Sequence, residues 1–313
     1  MTLKITRPAF FTVAGAAAIL TASNVAETDY AAWSVGTAYA VGARVIVAAD
    51  HAIYEAAAAV TGGLSPAAAI AAGTSSAPSK WFLVSATNKF KMFDAAADTQ
   101  TSNATEIDVT FTAPGRSDVL FLAGLDAQTV IVVGTVGATE FFNETFDLTR
   151  TDNVHNFEDY VFEPIIRKTA LRVPMPKQLG TVSVRVRIQR TGTPAKCGTL
   201  IFGASRTIGE VQSKPKVSIV SYSRVIPDEF GITKLIKRAN VLGLAYDLFV
   251  ENNYFDEAVR LMQEYIDVPL LYSGSDEFES LNTFAIVKNF GGVLSSDGGT
   301  FCNLEILGLS NVN

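Results

Sequence analysis

Alternation of apolar and polar positions dominates the middle of the chain. Ile107, Val109 and Phe111 alternate with Asp108 and Thr110, and Val182, Val184, Val186 and Ile188 alternate with Ser183, Arg185, Arg187 and Gln189. A period of two sets one strand face on a core and the other in water. Val119 to Leu122 and Val130 to Val133 are unbroken apolar runs, the pattern of strands buried on both sides, and Pro114-Gly115 and Thr191-Gly192 mark turns between segments. Residues 88–208 therefore predict a β-sandwich, jelly-roll-like.

The flanking regions have other textures. From Trp33 to Trp81, aromatic and β-branched residues (Tyr39, Val41, Val45, Ile46, Val47, Ile53, Tyr54) are interrupted by Gly36 and Gly42, which predicts short strands and tight turns in a small β module over 31–87. Ala56 to Ala72 is rich in alanine, but Gly62-Gly63 and Pro66 break any single long helix, so a partly helical excursion is expected there. The polar stretch Arg206 to Pro215 predicts a boundary. Beyond it, strand-like runs (Val217 to Tyr222, Leu242 to Val250, Leu270-Leu271, Phe284 to Val287, Phe301 to Leu309) surround one helix. That helix opens after a capping candidate at Asn253, aligns Phe255, Val259, Met262 and Ile266, and stops at Pro269. The expected fold is mainly β and multi-domain: an arm over 1–30, the small module, the sandwich, and an α+β domain over 209–313 with one helix on a sheet.

Lys4 and Arg7 precede a mostly apolar run from Ala9 to Ala22, and Ala22-Ser23 imitates a secretory cleavage site. The run is too short to span a bilayer, which takes roughly 20 apolar residues, so no membrane insertion is expected. Phe10, Phe11, Val13, Ile19 and Leu20 instead predict either an ordered arm, packed on its own domains or on a neighbouring copy, or an ordinary first strand or loop. Charged residues make up 18% of the 313 positions and apolar residues 48%, which excludes a disordered chain. A net charge of −6 gives no general attraction for phosphate backbones, so nucleic acid is not an expected partner. Cys197 and Cys302 are far apart in apolar contexts and predict buried thiols, not a bridge.

Chemistry is sparse. The two histidines, His51 and His155, fall on different predicted domains, and no Gly-x-Ser-x-Gly elbow, Walker loop or zinc spacing occurs, so no enzyme activity, metal or cofactor is expected. Asp147, Asp152, Glu158, Asp159 and Glu163 are dense enough for a carboxylate pair or a calcium site, but equally suit a solvated loop, and Asp276, Glu277 and Glu279 suit an exposed turn. Arg185 and Arg187, with Arg190 nearby, face outward on one strand and are candidates, with Phe10 and Phe11, for contacts with a partner subunit. Trp33, Tyr39, Tyr54 and Trp81 are candidate glycan-stacking rings or the core of their module.

Trp33-Ser-Val-Gly-Thr-Ala-Tyr39-Ala-Val-Gly42-Ala-Arg-Val45, then Ile53-Tyr54, then Trp81, resembles small chitin-binding-type carbohydrate modules, with an alanine-rich insertion before Trp81 that the compact modules lack. Leu20-Thr-Ala-Ser23-Asn-Val-Ala-Glu27-Thr-Asp29-Tyr, Lys80-Trp-Phe-Leu-Val-Ser-Ala-Thr87-Asn88-Lys-Phe90-Lys-Met92-Phe93-Asp94, Ala195-Lys-Cys197-Gly198-Thr-Leu-Ile-Phe-Gly203, Ser221-Tyr222-Ser-Arg224, Asp228-Glu-Phe230-Gly231-Ile-Thr233 and Phe301-Cys302-Asn-Leu304-Glu305-Ile-Leu-Gly308-Leu resemble segments of tailed-phage virion structural proteins. The resemblance implies a component of a phage tail, baseplate, neck or collar, assembled in the bacterial cytoplasm into the virion. Its implied partners are copies of itself in a symmetric assembly, other tail or neck proteins and, through the first module, a host surface glycan.

Overall fold

The alternating segments become the strands of packed β-layers. The computed structural model describes residues 1–10, 12–94, 96, 98–150, 154–212, 214–227, 233–275, 278–294 and 298–309. Its strands are β1 (Thr2–Pro8), β2 (Leu20–Ser23), β3 (Ala38–Tyr39), β4 (Arg44–Val47), β5 (Ala52–Ala56), β6 (Val60–Thr61), β7 (Trp81–Ala86), β8 (Thr101–Asn103), β9 (Glu106–Pro114), β10 (Val119–Ala123), β11 (Thr129–Val136), β12 (Thr139–Asp147), β13 (Ala170–Pro174), β14 (Thr181–Gln189), β15 (Ala195–Cys197), β16 (Thr199–Val211), β17 (Lys216–Ser221), β18 (Arg224–Pro227), β19 (Thr233–Ile236), β20 (Asn240–Glu251), β21 (Leu270–Ser273), β22 (Asn282–Val293) and β23 (Gly299–Gly308). The helices are α1 (Val13–Ile19), α2 (Pro66–Ala72), α3 (Phe157–Phe162) and α4 (Asn252–Tyr265). The mainly-β, multi-sheet class expected from the sequence is the one observed.

A sandwich-like layer pair forms the middle. One layer is the sheet β12-β11-β14-β9-β2, and the other is the β13-β10-β16 end of a nine-stranded sheet. Ile107, Val109 and Phe111 of β9 and Val182, Val184, Val186 and Ile188 of β14 meet Leu120, Leu122, Leu200 and Phe202 from the opposite layer in one buried cluster. The run in β10 is buried on both faces as expected, because Val119, Phe121 and Ala123 point away from that cluster and pack with Leu271 and Phe284. The run in β11 is not: only Val130 and Val132 are fully buried, and Ile131 and Val133 lie half-buried on the outer face. Period two reasserts itself there because a single core covers that sheet.

Strand pairing joins this sandwich to the carboxyl-terminal region without a break. The nine-stranded order is β13-β10-β16-β1-β21-β22-β23-β20-β17, with a further pairing of β16 to β20 at Glu210↔Phe249 and Val211↔Leu248. The antiparallel strands β16, β1, β21, β22, β23 and β20 therefore close into a barrel. Its core holds Leu3, Ile5, Ile208, Leu244, Tyr246, Leu248 and Leu304. The polar stretch read as a boundary includes the outward face of β16, which gives Leu200 and Phe202 to the sandwich and Ile208 and Val211 to the barrel. The amino-terminal segment supplies barrel strand β1 and edge strand β2, and its Phe10, Val13, Ile19 and Leu20 pack on the sandwich of the same chain.

Helix α4 lies on the barrel, as the sequence predicts, but begins at Asn252 with Glu251 in the capping position, not Asn253. Its buried residues are Ala258, Met262 and Tyr265, with Phe255 and Leu261 packed beside them, and Ile266 is exposed past its last turn. Pro66 opens helix α2 rather than breaking one, since a first-turn proline gives up only an amide that has no intrahelical acceptor. Both cysteines are free and buried, and burial pushes the Cys197 thiol up to about 12.

Candidate functional site

The small module pairs β4-β5-β7 and, separately, β3-β6. So few strands leave little aliphatic volume, and aromatic rings fill it. Trp81 is 3% exposed and sits with Val45, Ala52, Tyr54 and Ala56, while Trp33 and Tyr39 pack against them partly buried. Tyr39 meets Trp81 edge-on, with ring centroids 5.4 Å apart, and its hydroxyl accepts from the Ser34 N–H at 2.8 Å. The Tyr54 hydroxyl donates to Asp50 Oδ2 at 3.2 Å, and burial, with Asp50 adding, pushes it up to about 12. The four aromatic candidates come together, but Tyr54 and Trp81 are core residues whose faces no sugar reaches.

The outward face of the same sheet carries a set that the sequence reading passed over. Arg44, Glu55 and Phe82 are successive cross-strand partners. Arg44 Nε donates to Glu55 at 2.7 Å, its Nη1 donates to the Tyr30 hydroxyl at 3.2 Å, and its guanidinium lies 5.9 Å from the Tyr30 ring centroid. Tyr30 and Phe82 are both exposed. The available signal was the alternation of Arg44 and Glu55 with buried Val45 and Tyr54. Glu27 and Asp29 fasten this module to the segment that enters the sandwich: Glu27 receives the Thr87 hydroxyl at 3.0 Å and faces Lys89 at 3.7 Å, and Asp29 receives the Asn88 N–H at 3.0 Å.

Arg185 and Arg187, candidates for contacts with a partner subunit, have acidic partners within their own sheet. Arg185 donates through Nε and Nη2 to Asp108 at 3.0 and 2.5 Å, and Arg187 to Glu106 at 3.3 and 2.8 Å. These guanidinium groups, with Gln189 helping at Glu106, hold both carboxyls below the usual carboxylate range. The arginines are engaged by β9 of their own sheet because its outward acids stand diagonally across the ladder. Arg190 likewise pairs with Asp126. Phe10 is buried in the sandwich core, edge-on to Phe93 with centroids 5.4 Å apart, and Phe11 lies outside the described residues.

The described residues of the acidic region lie on an exposed loop. Its base is the Thr149↔Arg167 bridge, and its helix α3 is capped by Asn156, whose side chain accepts from the Asp159 N–H. The Thr149 N–H at 2.8 Å holds the exposed Asp147 carboxyl below the usual range, opposite to what a general acid needs. Asp152, Asn153, Asp276 and Glu277 lie outside the described residues, and Glu279 is exposed. What the loop does present is apolar: α3 buries none of its residues, and Phe157 and Phe162 are 81% and 80% exposed, with Ile165 and Ile166 also exposed. A second such surface is β17, exposed on both faces, followed by the exposed hairpin β18–β19 with Val225 and Leu235.

A cavity of about 620 Å³ lies between α4 and the strands β16 and β20, lined by Arg206, Glu210, Phe249, Tyr254, Glu257 and Leu261. Arg206 and Glu257 approach to 3.5 Å across it, and neither histidine of the chain is there.

Asp94 is a carboxyl altered by burial, beside Phe10 and Phe93. Burial pushes it up to about 6, with Asp98 adding, against the pull of the Thr99 hydroxyl at 3.0 Å, the Ala96 N–H at 3.0 Å and Lys91. The folded chain thus holds this proton more tightly than the unfolded chain, whose carboxyl titrates near about 3.9. Its contribution is most favourable below that value and falls as pH rises towards about 6. Asp94→Asn, which stays neutral, is expected to gain on the parent protein between about pH 4 and about pH 7 in urea midpoints. A gap of equal size at both ends would contradict the assignment.

Comparison with known proteins adds no family to this geometry: no protein-family model matches the chain, and no curated protein matches it.

Proposed function

We propose that the protein is a structural component of a tailed-phage virion, built into a tail, baseplate or neck through contacts with copies of itself and with neighbouring tail or neck proteins. The observation that carries this reading is strand β17 with its hairpin: Val217, Ile219, Tyr222, Val225 and Leu235 are exposed on an element whose first strand contacts water on both faces. Large apolar side chains gathered exposed on one element suit a permanent interface, which would cover them. The resemblance of scattered segments to tailed-phage structural proteins supplies the setting. Light scattering and electron microscopy of the purified chain test it. Regular multimers well above the 33.4 kDa of one copy are expected; a monomer that is absent from phage particles ends the proposal.

A second reading, recognition of a host surface glycan, is favoured by the outward face of the small module. Tyr30 and Phe82 offer exposed rings, and Arg44 and Glu55 offer ordered polar groups beside them, the mix that binds a sugar's C–H face and hydroxyls. Signal on a glycan array that disappears in Tyr30→Ala with Phe82→Ala supports this role; a flat array for the parent chain removes it.

A further inference from the structure

The α3 loop and the β17–β19 arm are both apolar and exposed, and their charges are opposite. Residues 150–166 include Asp152, Glu158, Asp159 and Glu163 against Arg150. Residues 214–240 include Lys214, Lys216, Arg224, Lys234, Lys237 and Arg238 against Asp228 and Glu229. Among the described residues, none of these six basic side chains forms an ion pair. The loop runs into β13 and the arm starts at β17, the two terminal strands of the nine-stranded order.

We propose that the basic arm of one copy docks on the acidic α3 loop of a second copy, and that this head-to-tail contact is the repeating joint of the assembly. The inference rests on the assembly reading above and names its partner and its two surfaces. Two arms brought together would place lysines against lysines, and two loops carboxylates against carboxylates, so a twofold contact of either surface with itself is disfavoured. An arm against a loop is complementary. Phe157, Tyr160 and Phe162 supply the aromatic anchors that dominate interface centres, while Glu158, Asp159 and Glu163 form a charged rim. Because each chain carries one arm and one loop at different places, the contact is heterologous and generates a ring if its rotation closes, a filament if it does not.

The test is charge reversal in the full chain. Lys234→Glu with Lys237→Glu, and separately Glu158→Lys with Glu163→Lys, change exposed side chains and leave the Asn156 cap intact. Thermal unfolding is used to show that each variant folds. Light scattering across a dilution series is expected to show each pair weakening association roughly 100-fold, since like charges face one another across the joint. The chain carrying all four reversals is expected to re-form the multimer. A parent multimer that neither pair weakens, or a folded fourfold variant that stays dissociated, overturns the joint while leaving the assembly reading in place. A parent chain that is monomeric throughout overturns both.

Discussion

Trp81→Ala is expected to dissolve the small module and leave the sandwich standing. The indole is buried among Val45, Ala52, Tyr54 and Ala56, and Tyr39 packs edge-on against it. Truncating a buried tryptophan costs about 3–5 kcal/mol, a sum of lost transfer energy and the cavity left behind. A module of three short strands and one two-stranded ladder has no second core to absorb that loss. Amide exchange on the whole chain reads it directly: amides of β4, β5 and β7 should lose protection, while those of β9 and β14, in a separate cluster, should keep theirs. Had Trp81 been a stacking platform for sugar, its removal would have left the same amides protected. Unchanged protection in β5 would therefore return Trp81 to the surface.

Much of the sandwich was legible because a strand with one covered face writes its burial into alternate residues. β9 and β14 carry that alternation over their full length. The barrel was not legible, since its closure depends on β16 meeting both β1 and β20, partners separated by long stretches of chain that leave no local mark. The polar residues Thr207 and Glu210, part of the stretch that suggests a boundary, lie on the outer face of a strand whose Ile208 and Val211 point inward.

The candidate surfaces show the same division. Spacing identified which aromatics assemble in the module but not that they converge inward, because alternation tells which residues share a face without telling which face is covered. Arg185 and Arg187 were correctly placed outward, yet their partners became visible only with the register that sets Asp108 and Glu106 diagonally across from them. In the α3 loop the density of carboxylates is the feature visible in the sequence. The exposure of Phe157 and Phe162 depends on how the loop leaves its Thr149↔Arg167 base, which no local pattern records.

Gly203→Ala is expected to open the barrel at its first strand. Gly203 pairs with Pro8 on one side and Val119 on the other, so it sits where sandwich and barrel share β16. A Cβ built on it would run into the Arg7 carbonyl and the Pro8 Cα, main-chain atoms that cannot rotate aside as a side-chain tip does. Either β1 moves away, exposing Leu3 and Ile5 and losing the Ala9 N–H bond to the Phe202 carbonyl at 2.7 Å, or β16 distorts and disturbs both cores at once. Overpacking of this kind costs about 3 kcal/mol or more when only backbone can yield. Gly291→Ala is the matched control, because a Cβ there meets no atom within 4 Å. Urea unfolding should show a large drop in midpoint for Gly203→Ala and almost none for Gly291→Ala, with the amides of β1 exchanging fastest in the former. If Gly203→Ala stays within about 0.5 kcal/mol of the parent, the close approach of β1 to β16 is wrong, and with it the closure of the barrel.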